Sequence, residues 1–403
     1  MIGIGRLLGL LLEFCILVQL ILIGRIRWID RALAYDKMIG LHKTIGLTTL
    51  IALIGHPLLL VMGYGNQANV PWSHQFLYFI QDWEDVILAV IGVLLMIVAI
   101  TVSIRFIRNK LKYERWHALH LLMYAGIALA FMHQIQSGDV SRQPALWYWL
   151  GLNFSVFGLF ILFRFIRPLY LFWKHDFRVK EIVKETEDVW SIIVSGKNIA
   201  DFKFESGQFA NIFILQKGLW SPHPFSFSSA PNGKTLRFTM KALGDFTSKI
   251  ESIKIGARVL IDGPHGRFIS GIARTDKYLF LAGGIGITPI RAIIESLAEQ
   301  KKNFALLYAN KNASTLAFKE EIESLIPSAN APYCYVLSEE QSVNHPMMQS
   351  GMIDQAKIES LVPDFRERDI YICGPGPMIM TMRKLLQDLG VPKTQIHYEL
   401  FKT

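Results

Sequence analysis

The stretch 117–133, HALHLLMYAGIALAFMH, sets three histidines in a run that is otherwise almost wholly apolar. His120 and His133 lie 13 residues apart in it, and His42 and His56 lie 14 apart in an earlier apolar run. Ionisable side chains inside apolar spans are rare, costly and usually functional. Neutral imidazoles from two facing helices are what bis-histidine ligation of a haem iron needs, one on each side of the metal. If both runs cross a bilayer in the same direction, His42 lies level with His120 and His56 with His133. The two levels are then roughly 20 Å apart at about 1.5 Å per residue. The plain alternative is a set of core histidines bonded to one another across a bundle, against which the matched depths of four weigh. His117, at the edge of its run, and His74, in a loop, read as ordinary polar residues.

Fourteen steps of about 100° return to within roughly 40° of one helix face, whereas thirteen miss it by about 140°. The later run is therefore expected either to be overwound near Gly126 or to hold its two haems rotated relative to each other. Gly40, Gly46, Gly55 and Gly126 are expected to leave room for a macrocycle. Arg6 and Glu13 lie seven apart in the first run, where Arg6 either meets a haem propionate or an anion or snorkels to the interface.

Three motifs in the second half carry further chemistry. HPFSFSSAP (223–231) places an aromatic ring and several hydroxyls on a strand, suited to packing and hydrogen-bonding an isoalloxazine. AGGIGITPI (282–290) follows a strand and opens a helix, so glycines allow close backbone approach and the helix start favours a pyrophosphate. ICGPGPM (372–378) is a second glycine-proline turn after a strand.

Five apolar runs, 7–24, 43–63, 86–104, 118–135 and 145–163, position the histidines. Each has about 18–21 residues, enough to span a bilayer. Only Arg6 stands before the first run and no small-residue cleavage site follows, so it reads as a retained helix. Basic residues crowd three loops: Arg25, Arg27, Arg31, Lys37 and Lys43; Arg105, Arg108, Lys110, Lys112 and Arg115; and Arg164, Arg167, Lys174, Arg178 and Lys180. The two other loops hold Asp82, Glu84, Asp85 and Asp139 against Arg142. The bias places the basic loops and the C-terminal half in the cytoplasm, with the N-terminus outside.

After about residue 172, short segments rich in Val, Ile and Phe, broken by Gly and Pro, predict a small antiparallel β-barrel. From about 276, strand and helix patterns alternate, which predicts a doubly wound α/β domain with its ligands at the carboxyl ends of the strands. The expected division is an α-helical transmembrane bundle over 1–171, a β-barrel over 172–272 and the α/β domain over 273–403. Composition agrees: 51% hydrophobic residues beside 19% charged ones join a membrane part to a water-soluble part. The net charge of +9 sits beside the apolar runs rather than on a reading surface, which argues against nucleic-acid binding. Three cysteines without a CxxC spacing exclude a disulfide framework or thiolate site.

HPFSFSSAP, MKALGDFT, DGPHGRF, AGGIGITP, CGPGPM and the near-terminal YELF, in this order, resemble ferredoxin-NADP reductase-like modules. Joined to histidine pairs in apolar helices, they resemble the ferric reductase and NADPH oxidase superfamily in a compact prokaryotic form, with five runs where the family often has six. The resemblance implies two b-type haems, the inner held by His42 and His120 and the outer by His56 and His133. It implies FAD against His223, Pro224, Phe225 and Ser226, with Ser228 and Ser229 in the same motif and Lys241, Gly244 and Thr247 near its pyrophosphate. Gly283, Gly284, Gly286, Thr288 and Pro289 would bind the pyridine dinucleotide, and Cys373, Gly374 and Pro375 would sit by the nicotinamide. Phe401 would stack on the flavin, making Phe401, Cys373 and Ser226 the residues at the reacting rings. Lys311, in YANKN, stands where the family often has a base for a 2′-phosphate, so NADPH is favoured, with NADH the alternative.

The implied activity carries electrons from cytosolic NADPH through FAD and both haems to an acceptor outside the cell membrane. Dioxygen, giving superoxide, is expected, with a ferric chelate as the alternative and no obligatory protein partner. A membrane-tethered flavin reductase without haem is the more remote reading, and a channel leaves the flavin motifs unexplained.

Overall fold

The computed structural model describes residues 1–33, 35–82, 84–136, 139–219, 222–244, 246–329, 331–340 and 345–400. They form two compact units, Met1–Phe165 and Ile166–Thr403.

The first unit is helical: α1 (Ile2–Ile23), α2 (Arg27–Ala32), α3 (Tyr35–Ala68), α4 (Trp72–Asp82), α5 (Glu84–Thr101), α6 (Arg105–Arg108), α7 (Tyr113–His120), α8 (Leu122–Gln136) and α9 (Ala145–Ile161). A helix closes its own backbone hydrogen bonds, which is what an apolar run needs in lipid. Ile2–Ile23, Lys37–Ala68, Arg115–Gln136 and Ala145–His175 are long and apolar enough to cross a membrane. The bent pair Trp72–Asp82 and Asp85–Thr101 makes a fifth if it is one span. α1 lies along α3 and α5 along α8. Leu17, Leu20, Leu53, Met96, Ile127 and Phe160 pack in the middle, while Leu7, Leu47, Ile51 and Phe154 point outward, as lipid-facing side chains do.

The apolar run that holds His120 and His133 is interrupted at Leu121, five residues before Gly126. α7 stops at His120 and α8 begins at Leu122. There the Tyr124 N–H donates to Leu121 O at 3.1 Å, a tighter i to i−3 bond that breaks the helical phase. His120 and His133 therefore sit on two helical segments rather than one. Gly126 serves packing instead, since a Cβ there would lie 2.7 Å from Gly92 O.

The second unit opens with α10 (Arg167–His175), then β1 (Arg178–Lys184), β2 (Val189–Ser195), β3 (Phe209–Ile214), β4 (His223–Ser226), β5 (Leu236–Lys241) and β6 (Val259–His265). These strands make two three-stranded antiparallel sheets, β1-β2-β5 and β4-β3-β6. The barrel expected over this stretch is not one continuous ladder. Among the described residues, single bridges from Arg178 to Arg258 and from Phe227 to Phe238 link the sheets. Phe177, Val194, Ile214, Phe227, Phe238 and Val259 fill the space between them without exposure. Alternation of buried and exposed residues fixes each sheet's inner face, whereas closure depends on contacts distant in sequence.

Next come β7 (Lys277–Gly283), α11 (Ile287–Glu299), β8 (Asn303–Asn310), α12 (Lys319–Ala329), β9 (Tyr333–Leu337), β10 (Met348–Ser350), α13 (Gln355–Leu361), β11 (Asp369–Gly374), α14 (Gly376–Asp388) and β12 (Ile396–Leu400). All six strands are parallel, in the order β10-β9-β8-β7-β11-β12. The chain runs outward from β7 to β10 and then returns to the other side of β7. The reversal makes a crevice between the carboxyl ends of β7 and β11, where ligands of such sheets bind. Buried Leu279, Phe280, Leu281, Leu306, Leu307, Tyr371 and Ile372 read as continuous apolar strands because helices cover both faces.

Candidate functional site

His42 on α3 faces His120 on α7, and His56 on α3 faces His133 on α8. In both pairs the ring centroids are 6.3 Å apart. Bonds of about 2.0 Å from metal to imidazole nitrogen, with about 1.1 Å more to each ring centre, put two rings across one metal roughly 6.2 Å apart. The pairs have the spacing of bis-imidazole sites.

The second ring nitrogens support this. His56 Nδ1 lies 2.8 Å from Gly5 O, which can only accept, so Nδ1 carries the proton and Nε2 keeps its lone pair. Ser103 Oγ donates to Ala99 O at 2.9 Å and accepts from Trp116 Nε1 at 3.2 Å. His120 Nδ1, 3.0 Å from that Oγ and 3.3 Å from Ala99 O, is therefore a donor as well. Trp116 stacks on the His120 ring with a centroid distance of 5.5 Å. His133 Nδ1 lies 3.4 Å from Asp85 Oδ2. Carbonyl and carboxylate partners of this kind orient metal-binding imidazoles. No group of three or more His, Cys, Asp or Glu that could hold a metal occurs among the described residues. Each pair thus offers two nitrogen donors and would fit a metal whose other ligands come from a macrocycle.

Of the glycines expected to make room, Gly40 has nothing within 4 Å and Gly46 only Gln19 Oε1 at 3.8 Å. Gly55 and Gly126 are helix contacts instead, Gly55 against Leu8. Arg6 donates to the Tyr64 hydroxyl at 2.6 Å. Glu13, buried, accepts from Gln134 Nε2 at 2.8 Å, and Gln134 Oε1 accepts from Trp149 Nε1 at 2.9 Å.

In the second unit, β4 carries His223, Pro224, Phe225 and Ser226. The Oγ atoms of Ser226 and Ser229 are buried with no hydrogen-bond partner among the described residues, which is what a bound ligand's polar edge would satisfy. Ser228 is different: its Oγ lies 2.7 Å from Thr239 Oγ1, so its hydroxyl belongs to the fold. His223 and Phe246 lie 4.4 Å apart between centroids. Thr247 Oγ1 accepts from the Leu243 and Gly244 N–H groups, shaping a loop in which Gly244 has nothing within 4 Å. Lys241 pairs with Asp188 at 3.0 Å.

At the crevice between β7 and β11, Gly283 and Gly374 meet backbone to backbone, and a Cβ on Gly286 would overlap the Cys373 carbonyl. Side chains there would force the two turns apart. Gly284, by contrast, has open space and a φ of +52°, so it is the glycine whose backbone is free to meet a ligand. Thr288 is buried and donates to Ile285 O at 3.0 Å, while Pro289 is buried in the first turn of α11. Pro375 caps α14. Cys373 is fully buried, and burial first, then the nearby Glu399 carboxylate, push its thiol well above the ordinary range. Phe401 lies outside the described residues.

Residues 8–131 match the family described as ferric reductase like transmembrane component, 172–268 an FAD-binding domain, and 280–384 an oxidoreductase NAD-binding domain. The chain has the ferric reductase/NADPH oxidase-like architecture. His42, His56 and His120 fall inside the first match and His133 two residues beyond it. The chain is 28% identical over 249 residues to a flavohemoprotein of Bacillus anthracis, covering 57% of this chain and 61% of that one. It is 31% identical over 240 residues to the ferredoxin reductase component of 3-ketosteroid-9-alpha-monooxygenase from Mycolicibacterium smegmatis, covering 57% and 65%. It therefore spans less than two thirds of the length of these relatives. Among solved structures, the flavohem-like FAD/NAD binding domain of nitric oxide dioxygenase from Vibrio cholerae aligns with a TM-score of 0.51. Identity there is 27%, over 56% of this chain and 97% of that domain. The chain therefore joins a ferric reductase like transmembrane component to an FAD-binding domain and an oxidoreductase NAD-binding domain.

Two sets of residues escaped the sequence motifs. Glu399 pairs in register with Cys373 across β12 and β11, and its Oε1 lies 3.7 Å from where a Gly266 side chain would begin. It stands in the YELF segment, two residues before Phe401. Arg237, Arg291, Glu295 and Glu321 form an ionic clamp between the antiparallel sheets and the α/β domain. Arg291 Nη1 donates to Ser228 O at 2.9 Å, directly behind the HPFS motif. Arg291 and Glu295 are an i,i+4 pair on α11, but Arg237 on β5 and Glu321 on α12 join them only through tertiary packing.

Proposed function

We propose that this protein moves electrons from NAD(P)H across a membrane through FAD and two b-type haems to an acceptor on the far side. The observation that carries this reading is the pair of histidine sites, each 6.3 Å between centroids, at two levels of one helix bundle. When bound, FAD supplies the change from hydride to single-electron transfer, and haem supplies one-electron steps. His42 with His120, and His56 with His133, would hold the haems, with the ring of His120 oriented by Ala99 and Ser103, that of His56 by Gly5 and that of His133 by Asp85. Ser226 and Ser229 would give hydrogen bonds to FAD, while Gly284 and the start of α11 would meet the pyrophosphate of NAD(P)H. Cys373 and Glu399 would border the nicotinamide. Cys373, held as a thiol, keeps that border uncharged on one side while Glu399 supplies an acceptor. The basic loops support a cytoplasmic side for the flavin and nucleotide domains.

Two imidazoles holding each haem would leave the acceptor no place on the metal, which would suit a small outer-sphere acceptor. Dioxygen is the proposed acceptor: NAD(P)H and two O2 give NAD(P)⁺, H⁺ and two superoxide ions. Ferric-chelate reduction has in its favour the description of the family matched by residues 8–131. Purified protein should show a haem Soret band, which H120A and H133A should each diminish by about half and the double variant should abolish. Full haem content in the double variant would refute the reading. Cytochrome c reduction driven by NAD(P)H should be suppressed by superoxide dismutase; reduction that is indifferent to the dismutase would rule out superoxide.

A further inference from the structure

β8 runs beside β7, and β9 lies on its other side. A dinucleotide whose pyrophosphate meets the turn after one strand lays its adenosine ribose over the end of the neighbouring strand. Here that end is Asn310, followed by Lys311. Taken in sequence, Lys311 looks available to a 2′-phosphate. The fold brings it a partner from 28 residues further on: Lys311 Nζ lies 2.9 Å from Glu339 Oε1. The main chains are tied as well, the Glu339 N–H donating to Lys311 O at 2.8 Å. The next residue, Glu340, reaches the same loop, its Oε1 accepting from the Ala313 N–H at 2.7 Å.

We propose that this corner selects NADH over NADPH, with Glu339 accepting from the ribose 2′-hydroxyl and Glu339 and Glu340 together repelling a 2′-phosphate. The inference rests on the reading of the β7–β11 crevice as the dinucleotide site. The Lys311–Glu339 pair is itself exposed, and exposed pairs contribute little. The local charge decides: two carboxylates stand against one ammonium. A phosphate ester adds about −1.5 to −2 charges at neutral pH and would have to share Lys311 with Glu339. A hydroxyl donates to a carboxylate without that repulsion. One unit charge a few ångströms away in a near-aqueous medium changes affinity roughly fivefold, so two carboxylates give a preference of about tenfold or more. Being electrostatic between exposed groups, the preference weakens as salt rises.

Calorimetric titration of the detergent-solubilised, flavin-loaded full chain with NAD⁺ and NADP⁺ tests this. NAD⁺ should bind about tenfold more tightly at low ionic strength, and the ratio should shrink at high salt. E339Q/E340Q should bring the ratio near one or invert it; glutamine at 340 retains an amide oxygen for the Ala313 N–H, so the loop is kept. E339Q alone should give a partial change, and serves if the double variant misfolds. Tighter NADP⁺ binding by the native protein, or a ratio unmoved by E339Q, overturns the proposal. Failure of both nucleotides to bind would remove the dinucleotide site itself, and this inference with it.

Discussion

Arg291 touches both halves of the second unit and so offers a way to test whether their packing sets the geometry of electron entry. Its guanidinium donates from Nε to Glu321 Oε2 at 2.9 Å, from Nη1 to Glu295 Oε2 at 2.6 Å and to Ser228 O at 2.9 Å, and from Nη2 to Glu295 Oε1 at 3.3 Å. The side chain is only 8% exposed. Arg291→Ala leaves Glu295 and the Ser228 carbonyl short of donors in a mostly dry place. Breaking a buried ionic network in this way costs about 3–5 kcal/mol. For a unit of this size that lowers the thermal midpoint by roughly 10 °C. Ser228 O lies just after the flavin strand and Arg291 just after the glycine turn, so the same loss loosens one ring-binding edge against the other. A displacement of about 1 Å costs about a hundredfold in rate. Anaerobic stopped-flow reduction of the bound flavin by NADH reads this step before any haem is involved. R291K, which keeps the charge but not the planar fork, should fall between. A variant R291A whose flavin-reduction rate stays within twofold of native, with an unchanged thermal midpoint, would refute a positioning role for the clamp.

Asp369 is fully buried and accepts from the Arg274 and Thr275 N–H groups, the Thr275 hydroxyl and His397 Nε2. Asp369→Ala strands these donors and should destabilise the second unit by about 3–5 kcal/mol in chemical denaturation, with D369N milder. In the bundle, Gly126→Val would press a side chain onto the Gly92 carbonyl and Met96, at a cost of about 1–3 kcal/mol seen as earlier loss of helix on heating in detergent. The Glu321 carboxyl is raised by burial, but Arg237 and Arg291 more than offset this and hold it below the ordinary range. A depressed carboxylate contributes stability that is present above its unfolded value and lost as pH falls through the folded one. The thermal midpoint should therefore be steadier above about pH 4.5 than below it, and E321Q should show a shallower acid decline; equal slopes would count against the pairing.

Much of the site was legible in the chain because it is built from local patterns. Apolar runs announce spans by length alone, and imidazoles inside them stand out because their desolvation is costly. Glycine turns that follow strands at the carboxyl edge carry their meaning in a few consecutive residues, as in AGGIGITPI and ICGPGPM. What the chain alone left undecided depended on helical phase and on contacts between distant segments. Thirteen residues between His120 and His133 do not return to one helix face, and the chain does not announce that the run is broken at Leu121. The strands of the flavin half declared their inner faces, but not that two sheets rather than one closed ladder would form. Lys311 read as a free cation because Glu339 is 28 residues away along the chain and 2.9 Å away in space. Residue types and short spacings determined which chemistry this protein can hold. Tertiary packing decided which of those groups are free to perform it, because electrostatic and hydrogen-bonding partners are chosen by proximity in space, to which sequence separation is no guide.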